Sequence, residues 1–236
     1  ELKELGALVA AERRFSVDII ASEKKIKGFS FAVKAGQAFF VPLNIQETNE
    51  MPDLFSAATP EKGINLKVFY AWLKPLLEAK SILKIGSNIK NVMHLVSERF
   101  GETSVFPYDD VSIISYCLDS SEHLHDLKSL AGIFLKENLK TEEDLLGTGK
   151  NKIALNMVDE ENIAAWACSR ADSILRLYDM LKARLVAESR VKVYETFDRP
   201  LVATLYQMER RGIKVNAREL KALSTYFDSR MKELEK

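Results

Sequence analysis

Residues 81–96, SILKIGSNIKNVMHLV, constrain the fold more than any other stretch of the chain. A short apolar run closes on Lys84, Ile85 and Gly86. Ser87 and Asn88 then lead into a segment with Ile89, Val92, Met93 and Val96 at helical spacing, with Asn88 placed as the helix N-cap. The product is a strand–turn–helix, the unit around which α/β nucleotide and nucleic-acid enzymes place their sites. At the start of that helix a catalytic carboxylate would be useful, yet the residues there are Asn91 and Val92.

The flanking patterns give the rest of the architecture. Residues 2–14 read as a short helix, and 15–20 (FSVDII) as a buried strand with Asp18 its only charge. Segments 28–33 and 38–43 read as strands joined through Lys34-Ala35-Gly36-Gln37, a hairpin signal, so three antiparallel strands follow one another. The stretch 46–65 lacks periodicity and is expected to be a loop. Helices are expected over 66–78, 111–118, 124–135, 159–185, 191–211 and 215–234, with 146–152 as a Gly-and-Lys loop. Asp109 and Asp110 suit the positive N-terminal end of the helix expected over 111–118. Pro200 marks a break near Arg199, Gly212 ends the helix expected over 191–211, and Asn216 caps the last helix. Three strands, a helix, a fourth strand and then helices make an α/β chain with a mixed sheet flanked by helices. The boundary falls near 188–191, beyond which the pattern is helical and too small for a core of its own.

Charge narrows the function. Lys plus Arg and Asp plus Glu both number 34, so the chain lacks the overall basic footprint of an autonomous DNA binder, although a local groove can still be basic. Cys117 and Cys168 lie in separate apolar helical contexts and read as buried free thiols. No apolar stretch reaches membrane-spanning length. The chain opens at Glu1 without a Met and closes within a charged helical pattern, which reads as a fragment of a longer cytoplasmic protein.

Five segments carry a resemblance. KIGSNIKN (84–91), ISYCLD (114–119), HDLKSLA (125–131), GTGKN (147–151) and VYETFDRPLVATLYQMERRGIKVN (193–216) occur in an order that resembles the large fragment of the bacterial DNA polymerase I family, the family A polymerases. The resemblance implies a ribonuclease-H-like 3′–5′ exonuclease domain over 1–189. Residues 190–236 would then be the first helices of the polymerase region, cut before any polymerase site. It also implies DNA replication and repair as the setting of the parent protein and a cytoplasmic, nucleoid-associated location. Its partners would be the rest of the polymerase chain and, through it, DNA, with no membrane and a monomeric state.

Exonucleases of this family hydrolyse phosphodiesters with two divalent cations, which need oxygen ligands and counter-charge. The family supplies four carboxylates: an Asp-x-Glu on the first strand, an Asp on the helix after the Gly turn, and the Asp of a late Tyr-x-x-x-Asp helix. Carried over by position, the first Asp is Asp18, but the Glu falls on Ile20 and the helix Asp on Val92. The Tyr falls on Trp166 and the last Asp on Arg170. The turn after the first strand is also shorter than in active members. The resemblance therefore implies a vestigial site, no metal and no cofactor in this fragment, and Mg²⁺ only in the parent polymerase domain. An ion pair between Arg170 and Asp18 is expected, because an apolar strand would otherwise hold an uncompensated carboxylate.

Plainer readings stand beside these. Without the resemblance, Asp18 reads better as a strand-end residue bonded to backbone, and Trp166 and Arg170, four apart, read as a stacked pair on a helix edge. Asp172 points about 200° around the helix from Arg170 and is not a substitute ligand, while Glu23 and Asp110 would serve only with a different backbone. His123 and His125 lack a second ligand cluster. GTGKNK lacks the spacing of a phosphate loop, although Lys150 and Lys152 are candidate DNA contacts. Arg210, Arg211 and Lys214 are candidate duplex contacts in a whole polymerase. Two rival functions follow: an active two-metal exonuclease with relocated carboxylates, and a non-catalytic single-stranded DNA or partner-binding module with a groove lined by Lys24, Lys25, Lys150 and Arg170.

Overall fold

The computed structural model describes residues 2–22, 25–44, 63–122, 124–149 and 152–235. Helix α1 (Leu2–Glu12) leads into β1 (Arg14–Ser22), β2 (Lys25–Lys34) and β3 (Gln37–Asn44), and the two-residue β4 (Ile64–Asn65) precedes α2 (Leu66–Glu78). Next come β5 (Leu83–Gly86), α3 (Ile89–Phe100), β6 (Tyr108–Asp110) and α4 (Val111–Asp119). The short α5 (Leu127–Leu130) continues as a π-helical turn, Ala131–Leu135, and α6 (Glu142–Leu146) precedes the long α7 (Glu160–Ala187). The chain closes with α8 (Val191–Val193), a second π-helical turn (Tyr194–Asp198), α9 (Arg199–Arg211) and α10 (Ala217–Leu234).

The strands form one mixed sheet in the order β4-β3-β2-β1-β5-β6. The β1–β2 and β2–β3 pairs are antiparallel, whereas β1–β5 and β5–β6 are parallel. The expected meander and strand–turn–helix are thus joined edge to edge at β1. That strand is the centre of the sheet and the seat of Asp18.

Alternation along β1 and β2 divides the two faces. Phe15, Val17, Phe29, Phe31 and Val33 belong to one buried cluster with Phe69, Leu73 and Leu77 of α2. Its rings meet closely, with Phe29 and Phe69 at 4.9 Å between centroids. Ser16, Ser30 and Ala32 are small, fully buried residues of the same two strands, and Ala32 belongs to the cluster built on α7. Small residues there let a helix lie close: the Ser16 hydroxyl donates to the Ala171 carbonyl of α7 at 2.7 Å. The hairpin tip is tied to the same helix, because the Gly36 amide donates to Asp172 Oδ1 at 2.6 Å.

Several local expectations are corrected. Asn88 precedes α3 in a left-handed conformation (φ 61°) with no side-chain capping bond. The cap comes instead from Asp110, whose Oδ2 accepts from the Ile89 amide at 2.6 Å while its Oδ1 accepts from Ser112 and Ile113 at the head of α4. A distant carboxylate outcompetes the local amide because it serves two helix ends at once. Tyr108–Asp110 is a parallel edge strand before it is a helix start. Ile64 and Asn65, expected in a loop, pair with Leu43 and Asn44, while most of that loop lies outside the described residues. The single helices expected over 124–135 and 191–211 each contain a π-helical turn. Both cysteines are free, but half-buried rather than buried.

Candidate functional site

The even-numbered residues of β1 point toward α7, and this places Asp18 opposite Arg170. The Arg170 Nε–H donates to Asp18 Oδ2 at 2.5 Å, with the arginine side chain 24% and the aspartate side chain 10% exposed. The expected pair is present. The guanidinium also lies over the Trp166 ring, its central carbon 5.2 Å from the centroid, so the i, i+4 stack and the ion pair coexist. Trp166 is held from the other side by its indole N–H, which donates to the Lys140 carbonyl at 2.8 Å.

Ile20, two residues along the same face, enters an apolar cluster with Leu146, Leu155, Ile163, Trp166 and Ala167. Val92 does not join it, packing instead into the cluster around Phe15 and Phe29. The four positions that the resemblance assigns to carboxylates therefore present one carboxylate, one cation and two buried aliphatic chains. Such a set does not fit two divalent cations. Hard cations need several oxygens, and here the one available carboxylate already faces a guanidinium. Among the described residues no three His, Cys, Asp or Glu side chains gather as a metal-binding group.

The other candidates take structural partners. Asp172 accepts from Arg176 Nε at 2.7 Å in addition to the Gly36 amide. His125 Nδ1 meets the Ser115 hydroxyl at 3.0 Å, and its ring stands edge-on to Tyr116. His123, Glu23, Lys24 and Lys150 lie outside the described residues. Lys152 faces Glu142 at 3.8 Å, Arg210 faces Glu102 at 3.7 Å, and Arg211 and Lys214 are exposed. Beside Trp166 opens a cavity of about 690 Å³ lined by residues that include Leu139, Asp144, Ile153, Met157 and Asn162, with neither Asp18 nor Arg170 in its wall.

Comparison with known proteins gives this geometry a lineage. No family model matches the chain. It is 34% identical over 214 residues to DNA polymerase I of Rhizobium leguminosarum, which covers 86% of this chain and 21% of that protein. Against DNA polymerase I of Pseudomonas aeruginosa it is 33% identical over 240 residues, covering 100% of this chain and 25% of that protein. The chain is homologous to part of bacterial DNA polymerase I. It spans about a fifth to a quarter of the length of these polymerase I relatives.

Solved structures agree on the fold. The POL domain of Pol1 from M. smegmatis, in complex with DNA primer-template and dNTP, superposes with a TM-score of 0.68 at 19% identity. That match covers 99% of this chain and 35% of the M. smegmatis chain. Brucella melitensis NrnC gives 0.62 at 16% identity over 85% of this chain and 86% of NrnC. Escherichia coli RNase D, described as an exoribonuclease involved in structured RNA processing, gives 0.58 at 15% identity, covering 90% and 49%. The fold is ribonuclease-H-like.

Two buried features around β5 and β6 escaped the sequence. Lys84 is fully buried, and its ammonium donates to the carbonyls of Ala79, Ile82 and Phe106 at 2.7–2.9 Å, with burial lowering its pKa to about 8. Asp109, 1% exposed, accepts from the Tyr194 hydroxyl at 2.9 Å and faces Lys182 at 3.3 Å and Arg199 at 3.4 Å. The Tyr194 oxygen also accepts from the Asp110 amide. Adjacent aspartates ahead of a helix were the only signal, and it pointed to the helix dipole alone.

Proposed function

We propose that this chain is the exonuclease-like domain of a DNA polymerase I protein, with the first helices of the polymerase region attached, and that it does not hydrolyse phosphodiesters. Residues 1–189 form the exonuclease-like part and 190–236 the beginning of the polymerase part. The domain acts as a structural platform for DNA-templated synthesis carried out elsewhere in the parent protein. The observation that carries this reading is Arg170, a cation facing Asp18 at the position where the resemblance asks for a metal-binding carboxylate.

The exposed apolar residues of α10, among them Leu220, Leu223, Phe227, Met231 and Leu234, support the second part of the reading. They recur at helical spacing on one side of a helix with no buried residue of its own, as expected of a surface completed by further chain. The fragment itself uses no cofactor, and Mg²⁺ belongs to the parent polymerase domain. DNA is met through the full-length protein, which works as a monomer in the bacterial cytoplasm at the nucleoid. Among the described residues no helix is long and apolar enough to cross a membrane.

The test is digestion of 3′-labelled single-stranded DNA with Mg²⁺ or Mn²⁺, using this chain and its Asp18→Ala variant. No digestion by either protein is the expected result. Metal-dependent digestion lost in Asp18→Ala would overturn the proposal and mean that the site is alive.

A further inference from the structure

The resemblance divides the chain near residue 189, but the packing does not. Tyr194, five residues past that point, is fully buried in the cluster built on α4 and α7. Its hydroxyl is fixed by Asp109 and by the Asp110 amide, both on β6. Lys182 of α7 and Arg199 of α9 converge on the same carboxylate, and both cations also stand over the Tyr194 ring, at 5.1 and 5.9 Å. One turn further, the Tyr108 hydroxyl donates to the Arg199 carbonyl at 2.9 Å. Val202 and Tyr206 of α9 then enter the cluster of the opposite sheet face, and Glu209 meets Lys90 and His94 of α3.

Beyond Arg211 these contacts stop. Gly212 takes a left-handed φ of 66°, and residues 212–216 form a link without helix or strand. Every described residue of α10 is exposed. The π-helical turn at Tyr194–Asp198 places Tyr194 inward just before α9 begins, and such turns within helices commonly mark positions under a specific demand.

We infer that the cooperative folding unit runs through Arg211, with residues 191–211 latched to the sheet by Asp109 and Tyr194 as a rigid strut, and that Gly212 is the joint beyond which α10 lies outside this unit. The strut fixes the direction in which the chain leaves the exonuclease-like domain. This inference stands whether or not the domain retains nuclease activity, because none of its residues belongs to the Asp18 site.

Hydrogen exchange on the whole chain tests it. Amides of α9 should exchange at rates matching those of α3, and amides of α10 far faster. In Tyr194→Phe, which removes a hydrogen bond to a buried carboxylate, exchange should rise by about tenfold or more, and by the same factor in α3 and α9. Exchange of α9 at the rate of α10, or a rise in Tyr194→Phe confined to 191–211, would overturn the inference by making the strut a separate unit.

Discussion

Arg170 and Asp18 are 152 positions apart in sequence and 2.5 Å apart in space. The contact joins the centre of the sheet to the middle of the longest helix. It also sets a charge balance, since each group would otherwise be desolvated alone.

Removing Arg170 leaves Asp18 largely buried without a counter-charge. Arg170→Ala is expected to lose about 2–3 kcal/mol, less than a fully buried pair because the guanidinium is partly solvated. Asp18→Ala should cost less, since the long arginine side chain can turn outward. A double-mutant cycle by urea unfolding measures the pair directly. A coupling below about 0.5 kcal/mol would place the pair with ordinary surface contacts.

Asp110 caps α3 and α4 together, so its loss should be felt in both. Asp110→Ala is expected to cost about 2–4 kcal/mol, roughly two capping contributions. Asp110→Asn keeps one acceptor oxygen and should lose about half as much. Denaturant midpoints give the totals, and exchange at the amides of Ile89, Ser112 and Ile113 shows whether both helix ends open.

These two sites show what the sequence could and could not disclose. Periodicity located β1, β2, β3, β5 and the long helices, because alternating or helical spacing of apolar residues is a local property. The Asp18–Arg170 pairing was also readable, since the resemblance fixed which positions face each other. Asp110 as a double cap was not, because nothing near Asn88 says that a residue 22 positions later will supply the better acceptor. The strand character of Tyr108–Asp110 was hidden for a similar reason: three residues are too few for a period, and they become a strand only by pairing with Lys84, Ile85 and Gly86. The latch at Tyr194 depends on burial across a long sequence separation, which no window of sequence reports.

Lys84 gives a pH signature. Its folded pKa of about 8 lies below the ordinary value of 10.5, so between those values the unfolded chain binds more protons than the folded one. Stability from this group therefore rises as pH increases from about 8 to about 10.5, by at most about 1.4 kcal/mol per unit. The difference in urea midpoint between the native protein and Lys84→Met, followed across that range, isolates the effect from other titrating groups. A difference that does not change with pH would mean that the three carbonyls hold the ammonium as well as water does.

Carboxylates introduced at the aliphatic positions should be rejected. Ile20→Glu and Val92→Asp each bury a charge among apolar neighbours and are expected to cost about 3 kcal/mol or more. Addition of Mg²⁺ to either variant should not restore the unfolding midpoint. Recovery with metal in a single variant would reveal more oxygen ligands nearby than the structure provides.

The separate homes of Ile20 and Val92 reach beyond these measurements. One side chain seals the layer beneath Trp166, the other fills the layer beneath Phe15, and neither would sense a change in the other until a cation bridged them. An acidic substitution at either position carries its own burial cost in full, with nothing in the other layer to offset it. Placing carboxylates at both positions would therefore mean repacking two separate apolar layers of the domain at once, not making one local change.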